Sequence, residues 1–203
     1  MNSISPQAYV SPDAKIGEGV TIHPFAYVDK NVVIGNNCTI MPYASILNGT
    51  RMGDDNQVFQ GTVLGATPQD FSFHGEDSIL EIGNKNVFRE NVIVSRSSHK
   101  EGKTVIGNEN FIMEGVHICH DSRIADHCVL GIKSLVAGNC VIDSHVILSS
   151  LVSIVSRYPC RYLEHGSGRM SFQQRRASLC CNIQQSYHLL RSKCKDAELR
   201  QLS

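Results

Sequence analysis

The chain has 203 residues, of which 41% are hydrophobic, and its formal net charge at pH 7 is zero. That length suits one extended domain with a short appendage and excludes two large globular domains. A neutral chain has no overall positive field to attract nucleic acid, so no nucleic-acid partner is expected. The opening residues lack a basic segment followed by an apolar one, and no stretch approaches the roughly 20 apolar residues that span a bilayer. We therefore expect a cytoplasmic protein without membrane insertion.

A six-residue repeat of large apolar residues runs from Val10 to Ile154. All but three of the positions spaced six apart are apolar, although hydrophobic residues make up only 41% of the chain. The exceptions are three polar residues, Asp70, Glu76 and Lys100. Neither a helical period of 3.6 nor a strand period of 2 explains this pattern. It predicts an all-β domain over residues 1–154, a parallel β-helix of stacked coils in which like residues lie over like residues.

The three exceptions fall inside two windows, 66–81 and 95–105, which we predict to be loops that leave the regular coil. Elsewhere, the fourth residue after each large apolar residue is mostly small. Three of these small residues are Cys38, Cys128 and Cys140, which we predict to be buried, reduced core residues.

The repeat stops after Ile154, so residues 155–203 are predicted to be a short irregular or weakly helical tail. An ordered cap and a product of a shifted reading frame are two explanations of this change in pattern. Terminal units of solenoids often depart from the repeat, and an ordered cap is therefore one interpretation of the tail.

The segment FIMEGVHICHDS brings three candidate site residues together: His117, His120 and Asp121. A histidine followed by an aspartate suits a general base, because a carboxylate can orient the imidazole and stabilise its charged form. The alternative is a pair of solvated corner residues. The loop window 66–81 adds Gln69, Asp70 and His74, which could overhang a groove or belong to a simple polar surface loop.

Several segments resemble one family, the acyl carrier protein-dependent UDP-N-acetylglucosamine O-acyltransferases that begin lipid A biosynthesis. The similarity covers residues 1 to about 150. It is carried by SPQAYVSPDAKIGEGVTIHPFAYV, by PQDFSFHGE leading into LEIGNKNVFRENV, by TVIGNENFIMEGVHICHDS and by VLGIKSLVAGNCVI. The resemblance implies that the β-helix is left-handed and that the protein is a homotrimer with its site between neighbouring subunits.

The resemblance also implies a role for each candidate residue. His120 would be the general base that takes the proton of the sugar 3-hydroxyl as it attacks an acyl thioester, and Asp121 would orient it. The backbone N–H of Gly138 would help to form the oxyanion hole. Three further residues would contact the sugar nucleotide: Gln69, Asp70 and His117. The substrates would be a 3-hydroxyacyl carrier protein and UDP-N-acetylglucosamine, with no cofactor and no metal.

The chain departs from the family pattern at several points. Ser72 stands where the family commonly has a lysine, and Asn139 and Ser156 stand where it has histidines. The helical C-terminal domain of the family is not recognisable after residue 154. These departures bear on whether the chain is active and on the acyl chain length that it would accept.

Three other functions compete with this interpretation. A coenzyme A-dependent acetyltransferase could use the same repeat, because fold alone does not fix chemistry. A zinc hydratase would need three imidazoles, and only His117 and His120 lie close in sequence. An inactive, truncated solenoid would keep the fold and lose the chemistry.

Overall fold

The structure is a computed structural model, and its description covers residues 1–155. Most of the predicted tail and Ser156 lie outside the described residues. Over residues 1–155 the chain forms short β-strands and no helix. In chain order the strands are β1 (Ser3–Ile4), β2 (Tyr9–Val10), β3 (Lys15–Ile16), β4 (Thr21–Ile22), β5 (Tyr27–Val28), β6 (Val33–Ile34), β7 (Thr39–Ile40), β8 (Ser45–Ile46), β9 (Thr50–Met52), β10 (Gln57–Val58), β11 (Val63–Ala66), β12 (Ile79–Ile82), β13 (Val87–Phe88), β14 (Ile93–Ser95), β15 (Lys103–Ile106), β16 (Phe111–Ile112), β17 (His117–Ile118), β18 (Arg123–Ile124), β19 (Val129–Leu130), β20 (Leu135–Val136), β21 (Val141–Ile142), β22 (Ile147–Leu148) and β23 (Ser153–Ile154).

Every third strand pairs in parallel, so the strands form three sheets. One sheet runs from β1 through β4 to β22, the second from β2 through β5 to β23, and the third from β3 through β6 to β21. Within a regular coil, partners lie eighteen residues apart, as in the pairing of Ile16 with Ile34. Three strands and three corners therefore make one coil, as the six-residue repeat predicted.

The large apolar residue of each repeat points into the core. From Ile22 to Ile142 all of these residues are buried, and only Val10, Ile16 and Leu148, close to the ends of the described coils, are partly exposed. The third residue after the apolar one usually lies at a corner with a positive φ, as Asn37 does at 56°. Asparagine and aspartate tolerate that conformation better than other non-glycine residues, which explains their abundance at the corners.

Two segments leave the coil, at residues 67–78 and 96–102, and both are shorter than the windows predicted from the sequence. The predictions of 66–81 and 95–105 were too wide because the flanking residues pair as strands. Met52 pairs with Ile82, thirty positions later, and Ile82 pairs with Ile106, twenty-four positions later. The excursions therefore add twelve and six residues to a coil, both multiples of six, which is why the repeat keeps its phase across them.

A ladder of buried asparagines, which the sequence analysis missed, occupies part of the core. Asn56, Asn86 and Asn110 stand where other coils have a small residue, and each is at most 1% exposed. Asn86 donates to the side-chain oxygen of Asn56 over 3.0 Å and to the carbonyl of Gly107 over 2.9 Å. Its own side-chain oxygen accepts from the backbone and the side chain of Asn110. These bonds satisfy amides that would otherwise be costly to bury.

One corner of the prism is built from acceptors that repeat from coil to coil. We call it the amide corner and define it by five residues: Asn36, Asp54, Asn84, Asn108 and Asp126. Each side-chain oxygen accepts the backbone N–H of the equivalent residue in the preceding coil, as Asn108 does from Asn84 over 2.8 Å. A Cβ on Gly107 in this corner would lie 2.8 Å from the Ala125 carbonyl carbon, so the coils stack too closely there for a side chain.

Candidate active site

The candidate site lies at a different corner, where Arg96, His120 and Gly138 stand one above another. Val94 pairs with Ile118, and Ile118 pairs with Val136. Because Arg96, His120 and Gly138 each follow the buried apolar residue of their strand by two positions, the parallel register places them in one column. We call this column the site corner.

His120 and Asp121 form a hydrogen-bonded pair at this corner. His120 Nδ1 and Asp121 Oδ2 are 2.8 Å apart, and the two side chains are only 13% and 9% exposed. Asp121 has a left-handed φ of 61°, and its N–H donates to Thr104 Oγ1 over 2.8 Å. Since a carboxylate only accepts, the neutral His120 carries its proton on Nδ1 and presents the lone pair of Nε2. This is the arrangement of a general base and its orienting carboxylate.

Residues of the 96–102 excursion hold Asp121. The Ser97 hydroxyl donates to Oδ1, and the Ser98 hydroxyl and N–H donate to Oδ2 over 2.8 and 3.2 Å. Burial raises the pKa of Asp121, but hydrogen bonds from Ser97, His120 and Ser98 outweigh it and leave the pKa below its ordinary value. Asp121 is therefore held as a carboxylate in a nearly dry environment.

The 67–78 excursion brings a second carboxylate to His120. Asp70 Oδ2 lies 3.4 Å from His120 Nε2, and the Asp70 side chain is 33% exposed. The Ser72 backbone N–H and hydroxyl both donate to Asp70 Oδ1, and they are the main cause of its lowered pKa. Asp70 is an acceptor, so it can hydrogen bond to Nε2 only when Nε2 carries a proton. Ser72, the departure from the family lysine, here orders Asp70.

Contacts within the chain tie the two excursions to each other. The Ser78 hydroxyl donates to the Ser97 carbonyl over 2.5 Å, and the Glu101 N–H donates to the Asp77 carbonyl over 2.8 Å. The Arg96 guanidinium also lies 5.3 Å from the centre of the Phe73 ring. The two segments therefore form one surface over the site corner.

Gly138 packs directly against the His120 ring. A Cβ at this position would lie 2.7 Å from His120 Cε1 and 2.9 Å from Nε2, so no other residue fits without moving the ring. The next amide, of Asn139, donates to the His120 carbonyl over 3.1 Å, while no acceptor for the Gly138 N–H is found within residues 1–155. Gly138 thus offers its backbone beside the imidazole edge.

Three of the candidate residues do not belong to this group. His117 lies on β17, where burial lowers its pKa and leaves Nε2 buried without a partner among the described residues. Gln69 is exposed on the 67–78 segment. His74 is exposed on the same segment, and its backbone N–H donates to Glu76 Oε2 over 2.8 Å. The structure thus brings together four of the seven candidates: Asp70, His120, Asp121 and Gly138.

Ser97, Ser98 and Thr104 were not identified from the sequence. The roles of Ser97 and Ser98 depend on how a non-repeating segment folds back over the next coil, and no spacing in the sequence signals that path. Thr104 lies on β15, inside the window that the sequence predicted to be a loop. The only available sign was the interruption of the repeat, which marked 95–105 as a loop.

Residues 1–155 contain no group of three or more histidine, cysteine, aspartate or glutamate residues arranged to hold a metal ion. Over the same residues, no helix is long and apolar enough to cross a membrane. Cys38, Cys128 and Cys140 are buried cysteines, as predicted, and Cys119 is a partly exposed one.

The chain is similar to proteins of one family. No family model matches it. It is 38% identical over 159 residues to the acyl-(acyl-carrier-protein)–UDP-N-acetylglucosamine O-acyltransferase of Pseudomonas putida, which covers 78% of this chain and 61% of that relative. It is 37% identical over 104 residues to the enzyme of that name from Nautilia profundicola, covering 51% of this chain and 40% of the relative.

Solved structures agree with these relatives. The UDP-N-acetylglucosamine acyltransferase of Bacteroides fragilis is 48% identical, with a TM-score of 0.75, over 77% of this chain and 61% of that one. The acyltransferase of Francisella novicida is 36% identical, with a TM-score of 0.72, over 75% of this chain and 56% of that one. These neighbours confirm the left-handed parallel β-helix.

The chain spans between 40% and 61% of the length of these relatives. The part that is shared includes the stacked coils and agrees with the family resemblance seen in the sequence motifs. By this similarity in sequence and fold, the chain belongs to the family of the acyl-(acyl-carrier-protein)–UDP-N-acetylglucosamine O-acyltransferases.

Proposed function

We propose that the protein transfers a 3-hydroxyacyl chain from acyl carrier protein to the 3-hydroxyl of UDP-N-acetylglucosamine, the first step of lipid A biosynthesis. The observation that carries this proposal is the His120–Asp121 pair, 2.8 Å apart and nearly buried, at the corner where Gly138 packs on the ring. Family membership supports the choice of substrates, and it favours a carrier-protein donor over coenzyme A.

In the proposed reaction His120 Nε2 takes the proton of the sugar hydroxyl while the hydroxyl oxygen attacks the thioester carbonyl carbon. The resulting tetrahedral intermediate carries a negative oxygen, which accepts a hydrogen bond from the Gly138 N–H. One such preorganised donor is worth roughly 3 kcal/mol in other acyl transfers. The intermediate collapses to the ester, and His120 returns its proton to the departing thiolate of the carrier protein.

The two carboxylates on either side of His120 have distinct roles in this proposal. Asp121 keeps the Nδ1 proton in place and stabilises the imidazolium that forms. Asp70 lies 3.4 Å from Nε2, on the side from which the hydroxyl must approach. The incoming sugar would replace the Asp70 contact at Nε2, and Asp70 would then hold the sugar together with Gln69 and His117.

The family resemblance suggests further properties of the assembly. We propose a cytoplasmic homotrimer whose sites lie between neighbouring subunits, with the thioester as co-substrate and without a cofactor. His117 Nε2, which is buried and has no hydrogen-bond partner within residues 1–155, supports this arrangement, because a polar atom of that kind usually has a partner in the complete assembly.

A direct assay tests the proposal. Purified protein is incubated with 3-hydroxyacyl carrier protein and UDP-N-acetylglucosamine, and the acylated sugar nucleotide is measured by mass spectrometry. We expect product with the carrier-protein donor and none when acetyl coenzyme A replaces it. His120→Ala serves as the matched inactive control. Product from acetyl coenzyme A alone, or an absence of product from folded trimer, would contradict the proposal.

A further inference from the structure

We infer that Ser97 and Ser98 are positioning residues that hold Asp121 in the orientation in which it directs His120. The inference rests on the proposed function, because it assigns these serines to the base of that reaction. Neither residue is required for the repeat, and both lie in the 96–102 segment that leaves the coil.

Both oxygens of the Asp121 carboxylate accept hydrogen bonds. Oδ1 accepts the Ser97 hydroxyl, and Oδ2 accepts the Ser98 hydroxyl, the Ser98 N–H and His120 Nδ1. The donors come from two directions, so rotation of the carboxylate about its last bond breaks at least one of them. Water cannot replace them readily, because the Asp121 side chain is 9% exposed.

The two serines are themselves held in place. Ser97 is 0% exposed and Ser98 is 4% exposed. The Ser97 hydroxyl accepts the His99 N–H over 3.0 Å, which leaves its own hydrogen directed at Asp121. The Ser97 carbonyl accepts the Ser78 hydroxyl, which anchors this turn to the neighbouring excursion.

A second imidazole lies within reach of Asp121. His99 Nε2 lies 4.0 Å from Asp121 Oδ2, on a side chain that is 69% exposed. Without the serine hydroxyls, the carboxylate is free to turn towards His99 or solvent and away from His120. The Nδ1 proton of His120 then loses its fixed acceptor, and the ring samples the tautomer that carries its proton on Nε2, which cannot act as a base.

The test uses Ser97→Ala, Ser98→Ala, the double variant and Ser98→Thr, which keeps the hydroxyl. Ser149→Ala, at an exposed serine of another corner, is the matched control. For each folded variant, kcat and KM for UDP-N-acetylglucosamine are measured, and the tautomer of His120 is read from its ¹⁵N chemical shifts, assigned by comparison with His120→Gln.

We expect the double variant to lose kcat by about 10-fold or more with KM unchanged, as for other groups that orient a catalytic histidine. Each single alanine variant should lose less, and Ser98→Thr and Ser149→Ala should resemble the original protein. The Nε2 shift of His120 should move towards the value of the protonated nitrogen in the alanine variants.

Unchanged kcat and unchanged ¹⁵N shifts in the alanine variants would overturn the inference. If the double variant does not fold, the two single variants decide it by the same readouts. If the original protein transfers no acyl chain, the proposed function fails, while the His120 shifts still show whether the serines hold Asp121 against the ring.

Discussion

The amide corner and the site corner occupy equivalent turns of the same prism, but they use polar side chains in opposite ways. In the amide corner, each side-chain oxygen accepts a backbone N–H of the adjacent coil, as Asp54 does from Asn36 over 2.6 Å. In the site corner, the His120 side chain bonds to no backbone group of residues 1–155 and faces Asp121 and Asp70 instead. A polar side chain that hydrogen bonds to the backbone of the neighbouring coil stabilises the stack, whereas a polar side chain without such a bond is available for catalysis.

The largest expected effect is on turnover, from His120→Ala at the site corner. Removing the proposed base should lower kcat by about 100-fold or more, the lower range for general base catalysis. The urea midpoint should hardly change, because this side chain takes no part in the stacking bonds. Steady-state kinetics and urea unfolding of one preparation check both statements. His127→Ala, at an exposed corner histidine, should keep normal turnover, and equal losses in the two variants would contradict the account.

The converse effect is expected from Asn86→Ala in the buried ladder. The change leaves the backbone and side-chain N–H groups of Asn110 without their Asn86 acceptor and removes one of the two donors to Asn56 Oδ1. It should lower the free energy of unfolding by about 2 kcal/mol. Turnover per folded molecule should be unchanged. Urea unfolding measures the loss, with Gln57→Ala as an exposed amide control that should change stability by less than about 0.5 kcal/mol. A loss of turnover without a loss of stability would show that Asn86 serves catalysis and not the stacking of the coils.

A pair of glycine variants sharpens the comparison further. Gly138→Ala should displace the His120 ring, because the new Cβ would lie 2.7 Å from Cε1, and kcat should fall by about 10-fold. Gly107→Ala crowds the Ala125 carbonyl instead and should lower stability while leaving kcat intact. Kinetics and thermal unfolding distinguish the two. Normal kcat in Gly138→Ala would show that the ring position is not critical.

The smallest effect concerns the pH dependence of stability. The pKa of Asp121 is lowered in the folded state, so its contribution is present above the pKa of the unfolded chain and is lost as pH falls through the folded-state pKa. Asp121→Asn should therefore be less stable than the original protein at neutral pH, and the difference should shrink on acidification. Urea midpoints from neutral to acidic pH measure it. A difference that is constant with pH would show that Asp121 is not held as a carboxylate.

The regular coils could be predicted from the sequence, and the surroundings of the site could not. One period of six fixes which residues face inward, and the same period places His120 over Gly138. The excursions follow no period, so the contacts of Ser97, Ser98 and Asp70 depend on a three-dimensional path that spacing does not encode. The asparagine ladder was missed for a different reason: Asn86 occupies a slot for a small residue, and its burial is tolerated only because identical neighbours satisfy it.

The most direct test measures turnover and urea unfolding of His120→Ala and Asn86→Ala side by side, on the same assembled protein. We expect His120→Ala to lose turnover and to unfold at the same urea concentration as the original protein. We expect Asn86→Ala to unfold at a lower urea concentration and to keep its turnover per folded molecule. If both variants lost both properties in the same proportion, polar residues of the coil would not divide into stacking and chemical groups, and the central claim would be wrong.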